Sequence, residues 1–279
     1  MSAPLLEANN LRVVFGSRYR KSEVVALDDV SITIGHGETL GLVGESGSGK
    51  STLGRAVLGL NPVRSGSIRF DGADLLAARK RRSRDVTRTL QVVFQDPYSS
   101  LNPTQTIGQI LAEPLQAHGV RNRTEIVQRV YEMLDRVGLA SEHVSRYPRQ
   151  FSGGQRQRIA IARSLMLQPK LVICDEALSA LDLSVQAQIA NVLMELQREL
   201  GLSYLFIAHD LSIVRLMAHR TVVMRRGQIV EQGLTDELYA SPQHPYTKAL
   251  LDAEPVPDPR EQRRRREARL RAAAEEATA

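Results

Sequence analysis

The chain has 279 residues, 42% of them hydrophobic and 24% charged, with a net charge of +6 and a pI of about 9.7. This composition is ordinary for a globular protein and excludes collagen-like and fully disordered chains. Its apolar stretches are far shorter than the ~20 residues of a membrane span, and its N-terminus lacks a signal-peptide pattern, so we expect a cytoplasmic chain. The single cysteine, Cys174, excludes an intrachain disulfide and a four-cysteine metal cluster.

Two basic runs, residues 79–88 and 260–271, hold much of the positive charge. Runs of this kind can bind nucleic acid or anionic lipid headgroups. Solvated charge on a surface helix and a tail is their more frequent origin. Because arginine outnumbers lysine along the whole chain, we expect no direct nucleic-acid partner.

The first third of the chain is dominated by strand patterns. Polarity alternates over Leu11–Phe15 and Val30–Ile34, as in half-buried strands. Thr39–Val43 and Leu90–Phe94 are continuous apolar runs, which are typical of buried strands in a parallel sheet. Ser67–Phe70 precedes an Asp-Gly pair and predicts one strand of a hairpin.

A glycine-rich loop follows the predicted strand 39–43. It reads Gly44-Glu45-Ser46-Gly47-Ser48-Gly49-Lys50-Ser51, with Thr52 next in a predicted helix. Every fixed position of the pattern G-x-x-x-x-G-K-[ST] is matched. Glycines let backbone N–H groups surround phosphates, Lys50 reaches the β- and γ-phosphates, and the Ser51 hydroxyl can ligate Mg²⁺. The segment from Gly44 to Thr52 therefore predicts nucleotide binding.

The apolar period changes from two to 3.6 between residues 107 and 166, which predicts helices at Thr124–Val137 and Gln155–Met166. The turn Ser152-Gly153-Gly154-Gln155 opens the second of these helices. A hydroxyl and closely approaching N–H groups at a helix N-terminus favour an anion. This turn is a second predicted phosphate-binding surface, which suggests that the two surfaces bind different nucleotides.

An acidic pair, Asp175-Glu176, ends the apolar strand predicted at Leu171–Cys174. Side chains at the carboxyl ends of parallel strands lie at one edge of the sheet, where phosphates bind. Asp175 can hold the Mg²⁺ shell, and Glu176 can orient or deprotonate an attacking water. Cys174 itself is interpreted as a small buried hydrophobe.

The last part of the chain alternates helices and strands. Helices are predicted at Ser184–Leu200 and from Asp210 or Leu211 onward, and strands at Ser203–Ala208, Arg220–Met224 and Gln228–Glu231. This alternation predicts an α/β fold with a mostly parallel sheet. After about Ser241 the chain is rich in proline and then in Arg, Ala and Glu, so we expect a frayed helix or a disordered tail.

Two further polar residues follow predicted strands. His209 comes after residues 203–208, and Gln95 comes after Leu90–Phe94. A lone histidine in such a place is usually structural. Because the same sheet edge carries Ser51 and Asp175, a phosphate-contacting role is favoured for both residues.

These motifs together resemble the ATP-binding-cassette (ABC) family over roughly residues 5–235. In chain order they are the phosphate loop Gly44–Ser51, the Q-loop Gln95, the signature Ser152–Gln155, the Walker-B Asp175 with the catalytic Glu176, the D-loop Asp182 and the switch His209. The resemblance implies ATP with Mg²⁺, and a P-loop NTPase core with an antiparallel β subdomain and a helical insert. It also implies that Gln95 joins the Mg²⁺ ligands Ser51 and Asp175, and that Phe15, or else Tyr19, stacks on adenine.

The stretches Gln95–Pro103 and Ser241–Leu251 look like the oligopeptide/dipeptide importer branch, F-type subunit. The resemblance implies an ABC domain at residues 5–240, with the insert at about 104–168, and a transporter-type extension at 241–279. It implies ATP-driven import of peptides or similar small solutes from a peripheral position on the cytoplasmic face of the membrane.

The implied partners are a D-type ATPase subunit or a second copy of this chain in a head-to-tail dimer, two membrane permeases and an extracytoplasmic solute-binding protein. The alternative is a non-transport ABC ATPase that acts on nucleic acid or in a regulatory complex. The sequence does not name the cargo.

Overall fold

A parallel sheet forms the centre of the computed structural model, which describes residues 3–16, 23–80, 84–96 and 100–253. Its strands are β3 (Thr39–Val43), β6 (Leu90–Val93), β7 (Leu171–Asp175), β8 (Ser203–Ile207), β9 (Arg220–Arg225) and β10 (Gln228–Leu234). Their order is β10-β9-β3-β8-β7-β6, and every pair is parallel except β9 with β10. Because β3, β7 and β8 are buried along their whole length, they read as continuous apolar runs in the sequence.

A separate antiparallel sheet is formed by β1 (Leu6–Gly16), β2 (Glu23–Ile34), β4 (Ser65–Phe70) and β5 (Ala73–Asp74), in the order β2-β1-β4-β5. Both β1 and β2 are longer than the sequence pattern predicts. In β1 the pairing register shifts between Ala8 and Leu11, and Asn10 adopts φ = +50°. This bulge interrupts the alternation of polarity, so only the end of the strand was visible in the sequence.

The helices are α1 (Lys50–Val57), α2 (Leu75–Lys80), α3 (Arg84–Thr89), α4 (Ile107–Ala117), α5 (Arg123–Arg136), α6 (Gly153–Leu165), α7 (Leu183–Leu200), α8 (Leu211–Met217), α9 (Thr235–Ala240) and α10 (Pro245–Asp252). Helices α4 to α6 and two 3₁₀ turns, Ser141–Ser145 and Pro148–Gln150, follow one another between β6 and β7. The two sheets and these helices confirm the predicted α/β fold with its antiparallel part and its helical section.

Helix α10 lies in the proline-rich part of the C-terminal region, before the end of the chain, where a frayed helix or a disordered tail is predicted. Pro245 occupies the first turn, and His244 Nδ1 accepts the N–H of Tyr246 at 3.0 Å. A proline in the first turn lacks only an N–H that would be unpaired anyway, so here it starts a helix. The tail from residue 254, with its basic run 260–271, lies outside the described residues, as does Tyr19.

Two hydrophobic clusters form the core. One cluster joins β6, β7 and β8 to α4, α5, α6 and α7. The other joins the antiparallel sheet, β3 and α1. Cys174 is completely buried, as predicted, and burial raises the pKa of its thiol to about 12. Within the described ranges, no helix is both long and apolar enough to cross a membrane.

Candidate functional site

The phosphate loop lies between β3 and α1, and glycine is required where it passes β9. Gly44 has φ = +145°, and a Cβ placed on it would lie 2.2 Å from the carbonyl oxygen of Met224. Gly49, with φ = +106°, forms the N-cap of α1, and none of the described side chains caps this helix. The first N–H groups of α1 are therefore available to an anion, as at other helix N-termini that bind phosphate.

Lys50 is folded back onto its own loop. Its Nζ donates to the carbonyl oxygens of Gly44 at 2.7 Å and Glu45 at 2.9 Å, and the residue is only 4% exposed. Burial lowers the pKa of the ammonium below its ordinary value, although the carboxylates of Glu176, Asp175 and Glu45 act in the opposite direction. The lysine is thus a buried cation next to the carboxyl edge of the sheet.

Ser51 and Asp175 meet although they are far apart in sequence. The Ser51 hydroxyl, in the first turn of α1, donates to Asp175 Oδ1 at 2.7 Å. Asp175 ends β7 and is 7% exposed, and its Oδ2 lies 3.8 Å from Nε of Arg55. A hydroxyl and a carboxylate at this separation form an oxygen donor set that suits a hard divalent cation such as Mg²⁺.

Glu176 has an unusual backbone conformation, with φ = +51°, which is uncommon for a residue with a side chain. Its N–H donates to the carbonyl oxygen of Ile207, at the end of β8, at 3.0 Å. Glu176 and His209 line one cavity of about 20 Å³. A cavity of this size can hold one water molecule.

Gln186 lines the same cavity and was not identified from the sequence. Its Nε2 donates to the carbonyl oxygen of Leu181 at 3.0 Å, while its buried Oε1 has no hydrogen-bond partner among the described residues. A water in the cavity would satisfy this oxygen. The sequence signal, an amide in the first turn of an amphipathic helix, is too common to single it out.

The signature turn is held by its own side chains. Ser152 is the exposed N-cap of α6, where its Oγ accepts the N–H of Gln155 at 3.3 Å and Gln155 Oε1 accepts the N–H of Ser152 at 3.0 Å. Gly153 and Gly154 follow, and a Cβ on Gly154 would lie 2.5 Å from Val185 Cγ1 of α7. Among the described residues, no hydrogen bond joins this turn to the phosphate loop.

Asp182 caps α7 beside the signature turn. Its Oδ1 accepts the Ser184 hydroxyl at 2.6 Å and the N–H of Val185 at 3.0 Å, and these donors hold the pKa of the carboxyl below its ordinary value. The next residue, Leu183, is 75% exposed. A polar cap, an apolar side chain and the signature turn therefore share one exposed surface.

Gln95 and Phe15 are both exposed. Gln95 follows β6, which pairs with β7, so it lies at the sheet edge that carries Asp175. Phe15, 41% exposed, pairs with Val24 on β2. Two residues further along β2, the carbonyl oxygen of Ala26 would lie 2.8 Å from a Cβ on Gly49, so Phe15 is on a strand that passes the phosphate loop.

Tyr246 is a second residue, after Gln186, that the sequence did not identify, and it contacts the phosphate loop. Its hydroxyl accepts the N–H of Glu45 at 3.0 Å, across 201 positions of the chain. Gly227, in the turn between β9 and β10, donates its N–H to the carbonyl oxygen of Ser48 at 2.9 Å. The C-terminal part of the chain thus holds the phosphate loop at two points.

Two regions of the chain match known family models. Residues 27–179 match the family model described as ABC transporter, and residues 230–278 match that described as oligopeptide/dipeptide transporter, C-terminal region. The chain is 49% identical over 267 residues to the oligopeptide transport ATP-binding protein OppF of Bacillus subtilis, covering 95% of this chain and 87% of that protein. It is 52% identical over 244 residues to the glutathione import ATP-binding protein GsiA of Salmonella paratyphi A, covering 88% of this chain and 39% of that protein.

Solved structures show the same fold. CbiO1 from Clostridium perfringens, part of the ABC transporter complex CbiONQ, superposes with a TM-score of 0.76 at 29% identity, covering 86% of this chain and 92% of that chain. An ATP-binding cassette solved as a dimer in a post-hydrolysis state, bound to ADP and phosphate, superposes with a TM-score of 0.73 at 26% identity, covering 82% of this chain and 98% of that chain.

Proposed function

The chain belongs to the ABC transporter family of ATPases, and from this premise we propose that it powers the import of peptides or similar small solutes through an ABC transporter. One observation carries the proposal: the oligopeptide/dipeptide transporter match at residues 230–278 lies on the same chain as the ABC transporter match at residues 27–179. Identity of 49% over 95% of the chain to an oligopeptide transport protein supports the same cargo class. The ABC domain at 5–240 and the extension at 241–279 are the two parts of this proposal.

ATP binding brings a phosphate to Lys50. Its Nζ contacts the carbonyl oxygens of Gly44 and Glu45 at 2.7 and 2.9 Å, and the phosphate adds to these partners or replaces one of them. The open N–H groups of α1 bind the remaining phosphate oxygens, and Thr52 lies in the same first turn. Phe15 is proposed to stack on the adenine because its exposed ring lies on a strand that passes the loop.

The Mg²⁺ site is proposed at Ser51 and Asp175, with Gln95 as a further ligand from the same sheet edge. The contact of 2.7 Å between the hydroxyl and the carboxylate supports this set. When bound, Mg²⁺ would neutralise charge on the β- and γ-phosphates. Arg55, 3.8 Å from the second oxygen of Asp175, keeps that carboxylate oriented.

Hydrolysis is proposed to use Glu176 to orient and deprotonate the attacking water. Glu176 shares a water-sized cavity with His209, which supports a role for both residues at the γ-phosphate. The left-handed backbone of Glu176 fixes the direction of its side chain, at a cost that the bond to Ile207 helps to offset.

A complete ATP site is proposed to need two chains. Within the part of the chain that the structure describes, the hydrogen bonds of the signature turn go to the turn itself and to its own helix, and Ser152 is exposed. In a head-to-tail pair it would contact the ATP held by the phosphate loop of a D-type ATPase subunit or of a second copy. The exposed Asp182 and Leu183 would lie in the same interface.

The membrane partners are proposed to be two permease subunits, with a solute-binding protein on the other side of the membrane. The helical section, at about residues 104–168, and the segment Gln95–Pro103 would contact the permeases from the cytoplasmic face. Arg163 of α6 donates to the carbonyl oxygen of Ser100, which ties this segment to the signature helix. Pro97, Tyr98 and Ser99 lie outside the described residues.

Reconstitution tests the proposal. Vesicles are assembled with both permeases, the partner ATPase and this chain, and uptake of a labelled tripeptide is measured with the solute-binding protein outside and ATP at the ATPase side. Uptake should require this chain and should disappear with Lys50→Ala. Uptake without the chain would contradict the transport function, and ATP turnover stimulated only by DNA or RNA would favour the nucleic-acid alternative.

A further inference from the structure

Helix α10 brings a buried tyrosine to the phosphate loop from the far end of the chain. Tyr246 is 7% exposed, and its hydroxyl accepts the N–H of Glu45 at 3.0 Å. The carbonyl oxygen of the same residue, Glu45, accepts Lys50 Nζ at 2.9 Å. Glu45 is therefore held on both sides, on its N–H by Tyr246 and on its C=O by the lysine.

The tyrosine is itself fixed by its surroundings. The Glu231 carboxylate of β10 accepts the N–H groups of Gln243 at 2.8 Å and His244 at 3.0 Å, and His244 caps the helix through the N–H of Tyr246. The guanidinium of Arg225, at the end of β9, lies 4.8 Å from the ring centroid. A ring held between a capped helix and a cation has little freedom to leave the loop.

ATP binding affects the two hydrogen bonds at Glu45 differently. A phosphate that contacts Lys50 competes with the carbonyl oxygens of Gly44 and Glu45 for the three donors of the ammonium. The Tyr246 hydroxyl is not displaced, because it contacts the N–H on the opposite side of the residue. It can therefore keep the first half of the loop in place while the lysine binds a phosphate.

We propose that Tyr246 is a positioning residue for ATP binding, which holds the Glu45 end of the phosphate loop through the hydrogen bond from the Glu45 N–H to its hydroxyl. This inference rests on the proposed ATP site. By this hydrogen bond, the C-terminal region of the oligopeptide-transporter type would directly support the nucleotide site of its own chain.

Tyr246→Phe removes the hydroxyl and keeps the ring beside Arg225. We expect the Kd for a fluorescent ATP analogue to rise about five- to tenfold, because the Glu45 N–H loses the acceptor that holds it in place. In the assembled transporter, KM for ATP should rise by a similar factor, while kcat at saturating ATP stays within about twofold. A role limited to general folding would not separate KM from kcat in this way.

Tyr239→Phe is the matched control. The Tyr239 hydroxyl donates to the carbonyl oxygen of Leu211 at 2.7 Å, and Arg215 lies 5.7 Å from its ring, so both of these contacts are to α8. Both variants should lower the unfolding midpoint to a similar extent, and only Tyr246→Phe should weaken ATP binding.

An unchanged Kd in Tyr246→Phe, or an equal weakening in Tyr239→Phe, would overturn the inference while ATP binding by the unsubstituted chain still stands. Failure of the unsubstituted chain to bind the analogue would overturn the proposed function itself. The two failures are therefore distinguishable in one titration series.

Discussion

The phosphate loop and the signature turn both open a helix with small residues, yet they are held in opposite ways. The loop is fixed from three other parts of the chain, by Tyr246, by Gly227 and by Asp175. The signature turn is held by the reciprocal hydrogen bonds of Ser152 and Gln155 and by the packing of Gly154 against Val185. The phosphate loop, which several elements support, is arranged to bind a ligand within its own chain. The signature turn needs little support from other elements, so it can be presented to a ligand held by another chain.

The helix N-termini show the same difference. No side chain in the described part of the chain caps α1, so its first N–H groups are open to phosphate. Helix α6 has a capping box, which occupies the N–H groups of Ser152 and Gln155 before any ligand arrives. We infer that α1 provides the main contact to ATP and that α6 adds a weaker contact to a nucleotide held elsewhere.

The largest effect is expected from a variant that removes the proposed catalytic base and leaves both phosphate-binding surfaces intact. Glu176→Gln should keep ATP affinity while turnover in the assembled transporter falls by ~10²–10⁴, as for other lost catalytic bases. Phosphate release at saturating ATP measures the change. Near-normal turnover would remove Glu176 from the proposed role.

Loss of the buried Lys50 ammonium should weaken the binding of ATP by the phosphate loop. Lys50→Ala is expected to raise the Kd for ATP about tenfold to a hundredfold, because hydrogen bonds to charged groups contribute ~1.5–3 kcal/mol. Titration of the isolated chain measures this. Lys170→Ala is the control, since Lys170 pairs with Asp71 on the surface, and equal weakening in the control would contradict the role of Lys50.

A change in the signature turn should affect the assembled complex only. Ser152→Arg is expected to leave the Kd for ATP of the isolated chain unchanged and to lower turnover of the complex by roughly tenfold, through loss of an anion-binding helix N-terminus. Ser141→Arg, at an exposed serine of the same helical section, should change neither quantity. Loss of ATP binding by isolated Ser152→Arg would show that one chain forms the whole site.

The smallest effect concerns the packing that supports the signature turn. In Gly154→Ala the new methyl group would lie 2.5 Å from Val185 Cγ1, so α6 or Val185 must shift, at a cost of about 1 kcal/mol or somewhat more. Thermal or denaturant unfolding measures the loss. The double variant with Val185→Ala should recover part of it, and additive losses would contradict direct contact.

The sequence predicts the contacts that depend on local pattern and on strand ends. Gly44–Ser51 could be placed because each fixed residue has a separate physical reason, and Asp175 because an apolar strand ends in it. The bond between Tyr246 and Glu45 could not be predicted, since it depends on how α10 packs after β10. No helix start was predicted at Pro245, although proline at the first helical position is a common start of a helix.

The cavity beside Glu176 was equally hidden from the sequence. It depends on the distance between the ends of β7 and β8 and on the side chain of Gln186 from α7. Periodicity identifies which residues are buried, but not which buried polar atoms remain unpaired. Three-dimensional packing was needed to show that Gln186 lines this cavity and that its Oε1 has no hydrogen-bond partner among the described residues.

The folded-back lysine is preorganised for an anionic ligand. Its Nζ donates to the carbonyl oxygens of Gly44 and Glu45 at 2.7 and 2.9 Å, so the ammonium has hydrogen-bond partners in the loop before any ligand binds. Because an ammonium has three donors, an incoming phosphate can bind Nζ by adding a bond or by replacing a carbonyl oxygen. The loop therefore holds a cation in position for the ligand and offsets part of the free-energy cost of burying it.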